Sequence, residues 1–261
     1  MDKEDIEDKA LANLSCKVNN IEIKPKSLNE IVKYGQKNFY NCLNILLLDK
    51  NDILQNFDLQ RCNEVERNLF MNMTSFDLLV LQCAQSKKFF NLFQNALLYF
   101  LGEKEDKIGF LFSGRIQDIK KAVFYINDLK DNKLINESNF EDIRTILKIQ
   151  NVIVEKKKEK LNPFNSVANE LIKLRDKMRK TVQKSKENSG LQLRDIISIV
   201  ASNNDIGLNI VSVYDINMYI LQDQLQRIAV NENYSMQKYL LGNSFGGGSI
   251  DFKNNTYLKK L

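Results

Sequence analysis

The sequence predicts a predominantly helical α+β protein, and three observations carry that prediction. First, only ten glycines and two prolines occur in 261 residues, too few for a turn-dense β-sandwich. Second, apolar residues recur at three- and four-residue spacing behind recognisable helix caps along most of the chain. Third, one stretch, 107–135, departs from that spacing and alternates like a sheet. With 43% hydrophobic and 27% charged residues, the chain has the composition of a folded soluble protein that can bury a real core.

The opening residues, to about residue 13, read as a charged tail. Val18, Ile21 and Ile23 then form a short extended segment ahead of Pro25. Ser27-Leu-Asn-Glu30 is a capping box, with a hydroxyl for an orphan N–H and a carboxylate reaching back. The helix it opens runs through Ile31, Tyr34, Phe39, Leu43 and Leu46, with a break expected near Gly35. A short helix restarts at Asn51-Asp52. Thr74 or Ser75 caps the next, with Phe76, Leu79, Val80 and Cys83 on its apolar face. A further helix from Ser86 carries Phe89, Phe90, Phe93, Leu97, Phe100 and Leu101 and stops at Gly102.

Between 107 and 135 the alternation of Ile108, Phe110 and Phe112, a turn at Ser113-Gly114 and the run Ala122 to Ile126 predict a small β-hairpin or meander ending near Leu134-Ile135. Ser138-Asn-Phe-Glu141 reads as a second capping box, followed by the stripe Phe140, Ile143, Ile146, Leu147 and Ile149. These elements make up a mainly helical domain over 1–154.

Residues 155–190 form a basic amphipathic helix with its linkers. Asn162-Pro163 starts the helix, and Phe164, Val167, Leu171, Leu174, Met178 and Val182 make a narrow seam close to a heptad. That seam suits one partner helix, either from another protein or from the chain's own domain. The segment 155–187 holds eleven Lys/Arg against five acids, so it carries a surplus of six while the rest of the chain sums to about −1. Lys173, Lys177, Arg179 and Lys180 form the basic face. Such a stripe can track phosphates, but no aromatic platform interleaves it, and the wet face of an amphipathic helix accounts for it equally. Nucleic acid is therefore the less favoured partner. A small C-terminal helical unit over 191–241 follows, with Leu193, Ile196, Ile197 and Val200, then Ser212-Val-Tyr-Asp215 capping a helix with Ile216, Ile220, Leu221, Leu225 and Ile228. Residues 242–261 read as a flexible, glycine-rich tail.

The chemistry is defined mainly by exclusion. The chain has no histidine, so a Ser-His-Asp or Cys-His arrangement, an imidazole base and a His-ligated metal are all ruled out. The four cysteines, Cys16, Cys42, Cys62 and Cys83, form no CxxC pair, so neither a metal site nor a disulfide framework is expected. Gly246-Gly247-Gly248 lacks the Lys-Ser/Thr of a phosphate loop. The acids cluster as caps and surface charge. No enzyme and no cofactor are expected. The acidic start lacks an apolar core segment and no run is long enough to span a membrane, so no signal peptide and no membrane contact are expected.

Several segments resemble a family. Ile23-Lys-Pro-Lys-Ser-Leu-Asn-Glu-Ile31 is similar to the I-x-P-x-T-L-x-E-I opening of uncharacterised tail-module proteins from phages of low-GC Gram-positive bacteria. Asn139-Phe-Glu-Asp-Ile-Arg-Thr-Ile-Leu-Lys-Ile-Gln-Asn151 resembles their F-x-x-L-R-x-I-I-x-x-Q-N segment. Leu191 to Ser198, followed by Asp215 to Arg227, resembles their C-terminal L-x-D-I-I … L-T-x-Y-Q-L-x-D-x-F-x-R unit. Tyr257-Leu-Lys-Lys-Leu261 looks like their aromatic-plus-lysine terminus. Departures are Ile220-Leu221 where Tyr/Trp-Gln is usual, and Tyr for Trp near the end. The resemblance implies a tail or baseplate assembly chaperone, or a minor virion component, without an active site. Its partners would be other tail or baseplate proteins, with self-association open as well. Its place would be the cytoplasm of the bacterial host or the virion tail.

Overall fold

The structure, a computed structural model, describes residues 1–57, 63–103, 106–153, 192–203 and 207–242. It is predominantly helical, with two small antiparallel sheets. The chain divides into two compact units, one of residues 1–152 with 214–222 and one of 153–213 with 223–261.

In the first unit, the residues read as a charged tail instead form α1 (Lys3–Leu11). Asp2 caps it, and Ile6 and Ala10 are buried. Two buried positions four apart are enough to seat one face on α8 (Glu137–Gln150). The extended segment is a hairpin of β1 (Cys16–Val18) and β2 (Ile21–Ile23), turned by Asn19 in a left-handed conformation. Its Cys16, Val18, Ile21 and Ile23 all point inward, with Lys17 and Glu22 outward.

The Ser27 capping box is present as read. The Ser27 hydroxyl accepts from the Glu30 N–H at 3.2 Å and Glu30 accepts from the Ser27 N–H at 2.9 Å. It opens α2 (Leu28–Tyr34). Gly35, at φ 91°, then breaks the helix before α3 (Gln36–Leu46), where a residue with a Cβ would be strained. After α4 (Lys50–Leu54) comes α5 (Glu64–Asn72), which the sequence did not signal and which buries no residue. Thr74 caps α6 (Ser75–Gln85), and Ser86 caps α7 (Lys87–Leu101).

The meander is a three-stranded sheet in the order β3 (Ile108–Leu111), β4 (Val123–Ile126), β5 (Leu134–Ile135). Its inward residues meet the helices in an aromatic core. Phe93 of α7 lies 5.0 Å from Phe124 of β4, and Phe76 of α6 lies 5.3 Å from Phe140 of α8, all four being buried. The second capping box moves from the expected Ser138–Glu141 pair to Asn136, which accepts from the Ser138 N–H while Asn139 accepts from the Asn136 N–H. Asn139 is buried and its amide also donates to the Leu134 carbonyl at 2.6 Å, so the end of β5 fixes where α8 begins.

The second unit contributes α9 (Leu193–Ser202), which buries Leu193, Ile197 and Val200. The last helix, α10 (Met218–Gly242), begins in the first unit. There Asn217, fully buried, accepts from the Ile220 N–H at 3.0 Å and donates to the Ala10 carbonyl at 2.8 Å, so one amide caps α10 and closes the end of α1.

Candidate functional site

Phe164, Val167, Leu171, Leu174, Met178, Val182 and the basic residues Lys173, Lys177, Arg179 and Lys180 lie outside the described residues. Among the described residues, the arrangement that best combines a concave shape, aromatic walls and a perturbed charge is a cleft in the first unit. It is built from the loop before α2, the end of α2 and one face of α7.

The local sequence explains why these side chains converge. Asn95, Leu98, Tyr99 and Gly102 fall at three- and four-residue spacing, so they share one side of α7 and its exit. Tyr34 is the last residue of α2, and Lys26 immediately precedes the Ser27 cap. With Glu103 they line a cleft of about 350 Å³. Gly102 adopts an ordinary φ but lies so close to α7 that a Cβ there would sit 3.0 Å from the Leu98 carbonyl oxygen.

Tyr34 and Tyr99 stack with centroids 4.0 Å apart, and Lys26 Nζ sits 5.3 Å from the Tyr99 centroid. An ammonium and a stacked partner ring therefore both contact Tyr99. The Lys26 side chain is only 17% exposed, and its carboxylate partner Glu30 stands at 3.9 Å. The other Glu30 oxygen is occupied by Ser27. Burial pushes the Lys26 ammonium below the ordinary lysine range, opposed by Glu30 and reinforced by Lys24. Burial also pushes the Tyr34 phenol up to about 12, helped by its contact with Cys42 Sγ at 3.3 Å. Tyr99 is pushed up as well, by burial first and then by Glu30 and Tyr34, and its hydroxyl is buried without a hydrogen-bond partner.

Chemically, the cleft offers one poorly compensated positive charge beside apolar walls. That is binding chemistry. Sequence reasoning used Tyr34 as part of an apolar stripe and Gly102 as a helix stop; Lys26, Asn95 and Tyr99 carried no signal. The spacing along α7 was available, but nothing local links residues 26 and 99.

Two other charge clusters have structural explanations. Asp77, fully buried, completes the Thr74 capping box and pairs with Lys120 at 2.8 Å, which also meets Glu137. Arg144 is buried and donates to the carbonyls of Leu47 and Leu48, holding the end of α3. Cys16, Cys42 and Cys83 are buried free thiols. Among the described residues, no cluster of three or more acidic or thiol ligands could hold a metal, and no helix is long and apolar enough to cross a membrane.

Residues 183–261, fewer than a third of the chain, match the family model for the YomV second domain. YomV is a phage- or prophage-type protein name, so the match suggests a phage-related protein. No curated protein and no solved structure matches the chain. Within the matched region the second unit has a polar cleft of about 350 Å³ lined by Asn203 and, on α10, by Gln224, Arg227, Ile228, Asn231, Glu232 and Ser235.

Proposed function

We propose that the chain is a non-enzymatic assembly factor of a phage tail or baseplate, acting by binding a partner tail protein through apolar helical surfaces. The C-terminal match to a phage-type domain is the observation that carries this reading. The seam Phe164, Val167, Leu171, Leu174, Met178 and Val182 supplies the mechanism. A narrow apolar stripe captures one apolar helix of the partner and keeps it from aggregating until it is built into the particle. The basic face gives that contact polar flanks, and the host cytoplasm is where such a factor works.

Mass spectrometry of proteins that co-purify with the chain from induced or infected cells tests the proposal. Recovery of tail or baseplate proteins is expected; recovery of none overturns it. Leu174→Asp separates the two uses of the seam. A partner surface loses binding while the melting temperature holds, whereas a seam packed on the chain's own body loses several kcal/mol, about 3–5 for an unpaired buried charge. The resemblance of the N-terminal segments to tail-module proteins also supports a second reading, a structural protein retained in the virion. That protein would be present in purified particles at fixed copy number, and an assembly factor would be absent. A nucleic-acid role for residues 155–187 would show as affinity falling steeply with salt.

A further inference from the structure

We propose that the cleft of Lys26, Tyr34, Leu98 and Tyr99 binds a small organic acid, a molecule with one carboxylate and a flat apolar body. The inference does not depend on the assembly role.

Three features lead to this class. The first is charge. Lys26 is largely withdrawn from water, yet its carboxylate partner is at 3.9 Å, the outer limit of an ion pair. A charge held this way gains from an added anion. The second is shape. At about 350 Å³ the cleft is at the small end of the roughly 300–1,000 Å³ that ligand sites occupy, and Leu98 and the tyrosine rings line it. A hydrated inorganic ion would leave those walls unused; a flat apolar body covers them. The third is the neighbouring charge. Glu103 lines the cleft and Glu30 stands beside Lys26. With both carboxylates there, a doubly charged phosphate meets about twice the repulsion that a single carboxylate does, so the singly charged anion is the one Lys26 can hold.

Lys26 also explains the geometry of the site. Its side chain is largely buried just before α2, its ammonium is 5.3 Å from the Tyr99 centroid, and Tyr34 stacks on that same ring. The ammonium is therefore held in place before a ligand arrives, which lowers the ordering cost of binding.

Nuclear magnetic resonance titration of the full-length chain with phenylacetate, phenylacetamide and phenethylamine tests this, because the three probes share a body and differ in charge. Phenylacetate is expected to shift the Leu98 and Gly102 amides saturably in the millimolar range. It should bind about tenfold tighter than phenylacetamide, the size of one hydrogen bond to a charged group. Phenethylamine should leave those amides unmoved. Lys26→Met should equalise acid and amide, while Lys26→Arg keeps the preference and serves as the folded control. The proposal is overturned by the absence of saturable shifts at Leu98 and Gly102, by equal affinity for acid and amide in the unmodified chain, or by a preference that survives Lys26→Met.

Discussion

Helices α5 and α6 are neighbours in sequence with the same kind of start, and they differ in almost everything else. Asn63 and Glu66 make the capping box of α5; Thr74 and Asp77 make that of α6. Yet α6 buries Phe76, Asp77, Leu78, Leu79, Val80, Leu81 and Cys83, and α5 buries nothing. Its Val65 is 77% exposed, Leu69 42% and Met71 51%. Half-buried Phe70 ties α5 to the body through a tilted contact with Phe57 at 5.2 Å. Caps choose where a helix begins; burial decides whether the fold depends on it.

The largest expected effect tests that contrast directly. Phe76→Ala empties a site bounded by Phe124 and Phe140 and should cost about 3–5 kcal/mol, read from chemical denaturation. Leu69→Ala in α5 should change stability by less than about 0.5 kcal/mol. Similar losses at the two positions would mean that α5 is packed after all.

Next is Asn217, a polar residue as deeply buried as any phenylalanine of the core. Asn217→Ala removes the cap on Ile220 and takes one of two donors from the Ala10 carbonyl, which keeps the Asn13 N–H at 3.2 Å. A loss of about 2 kcal/mol is expected, combining a cap with one buried hydrogen bond. Hydrogen exchange should localise the loosening to residues 3–11 and the first turn of α10. An unchanged melting temperature would remove Asn217 from the list of structural anchors.

Alkaline pH probes the body through its tyrosines. Tyr34 ionises at about 12 in the folded chain, above the usual value near 10, so folding favours the neutral phenol. The stability this contributes is complete below about pH 10, where both states are neutral, and is lost as pH rises towards 12 because the unfolded chain ionises first. Tyr34→Phe should flatten the fall in denaturation midpoint over that window, and ultraviolet difference spectra should show a late-titrating phenol disappear.

Much of the first unit was legible because its signals are local. Ser27, Thr74 and Ser86 announce their helices through side chains that bond three residues ahead, and Gly35 and Gly102 mark their ends. The sheet was legible because Ile108 and Phe110 break the helical period. What failed was set at a distance. Helix α1 presents only Ile6 and Ala10 to the body, too sparse a pattern to stand out among charges. The Ser138–Glu141 box lost to Asn136 and Asn139 two residues earlier, because the Leu134 carbonyl takes the Asn139 amide. The cleft was invisible for the same reason: Lys26 and Tyr99 are 73 positions apart, and only the packing of α7 on β2 and α3 brings the neighbourhood together.

A smaller effect tests how much strain packing can hold. Val152 ends α8 with φ 52°, a left-handed conformation that a β-branched residue rarely adopts. Just before it, buried Gln150 donates to the Ile23 carbonyl at 3.2 Å, a bond that fixes the helix end. Val152→Gly should raise stability by about 0.5–1 kcal/mol, the relieved strain less the added freedom of the unfolded chain. A destabilised variant would show that Val152 makes contacts worth more than its strain.

A matched pair of cap variants is the most discriminating test of the opening contrast, because it changes the same chemistry in both helices. Thr74→Ala removes a hydroxyl that accepts from the Asp77 N–H at 3.2 Å, while the buried Asp77 carboxylate keeps the Thr74 N–H and Lys120. Because α6 belongs to the cooperative core, the loss of about 1 kcal/mol should appear in global unfolding. Asn63→Ala removes an equivalent acceptor, 2.8 Å from the Glu66 N–H, at a helix no buried residue anchors. Its cost should fall on a local equilibrium that already opens more readily than the body, so the denaturation midpoint should hold. Amide exchange over 64–72 should accelerate severalfold while exchange in α6 is unchanged. Equal shifts in the global midpoint for both variants would mean that α5 unfolds with the core, and that its exposed apolar residues are part of the same cooperative unit as Phe76.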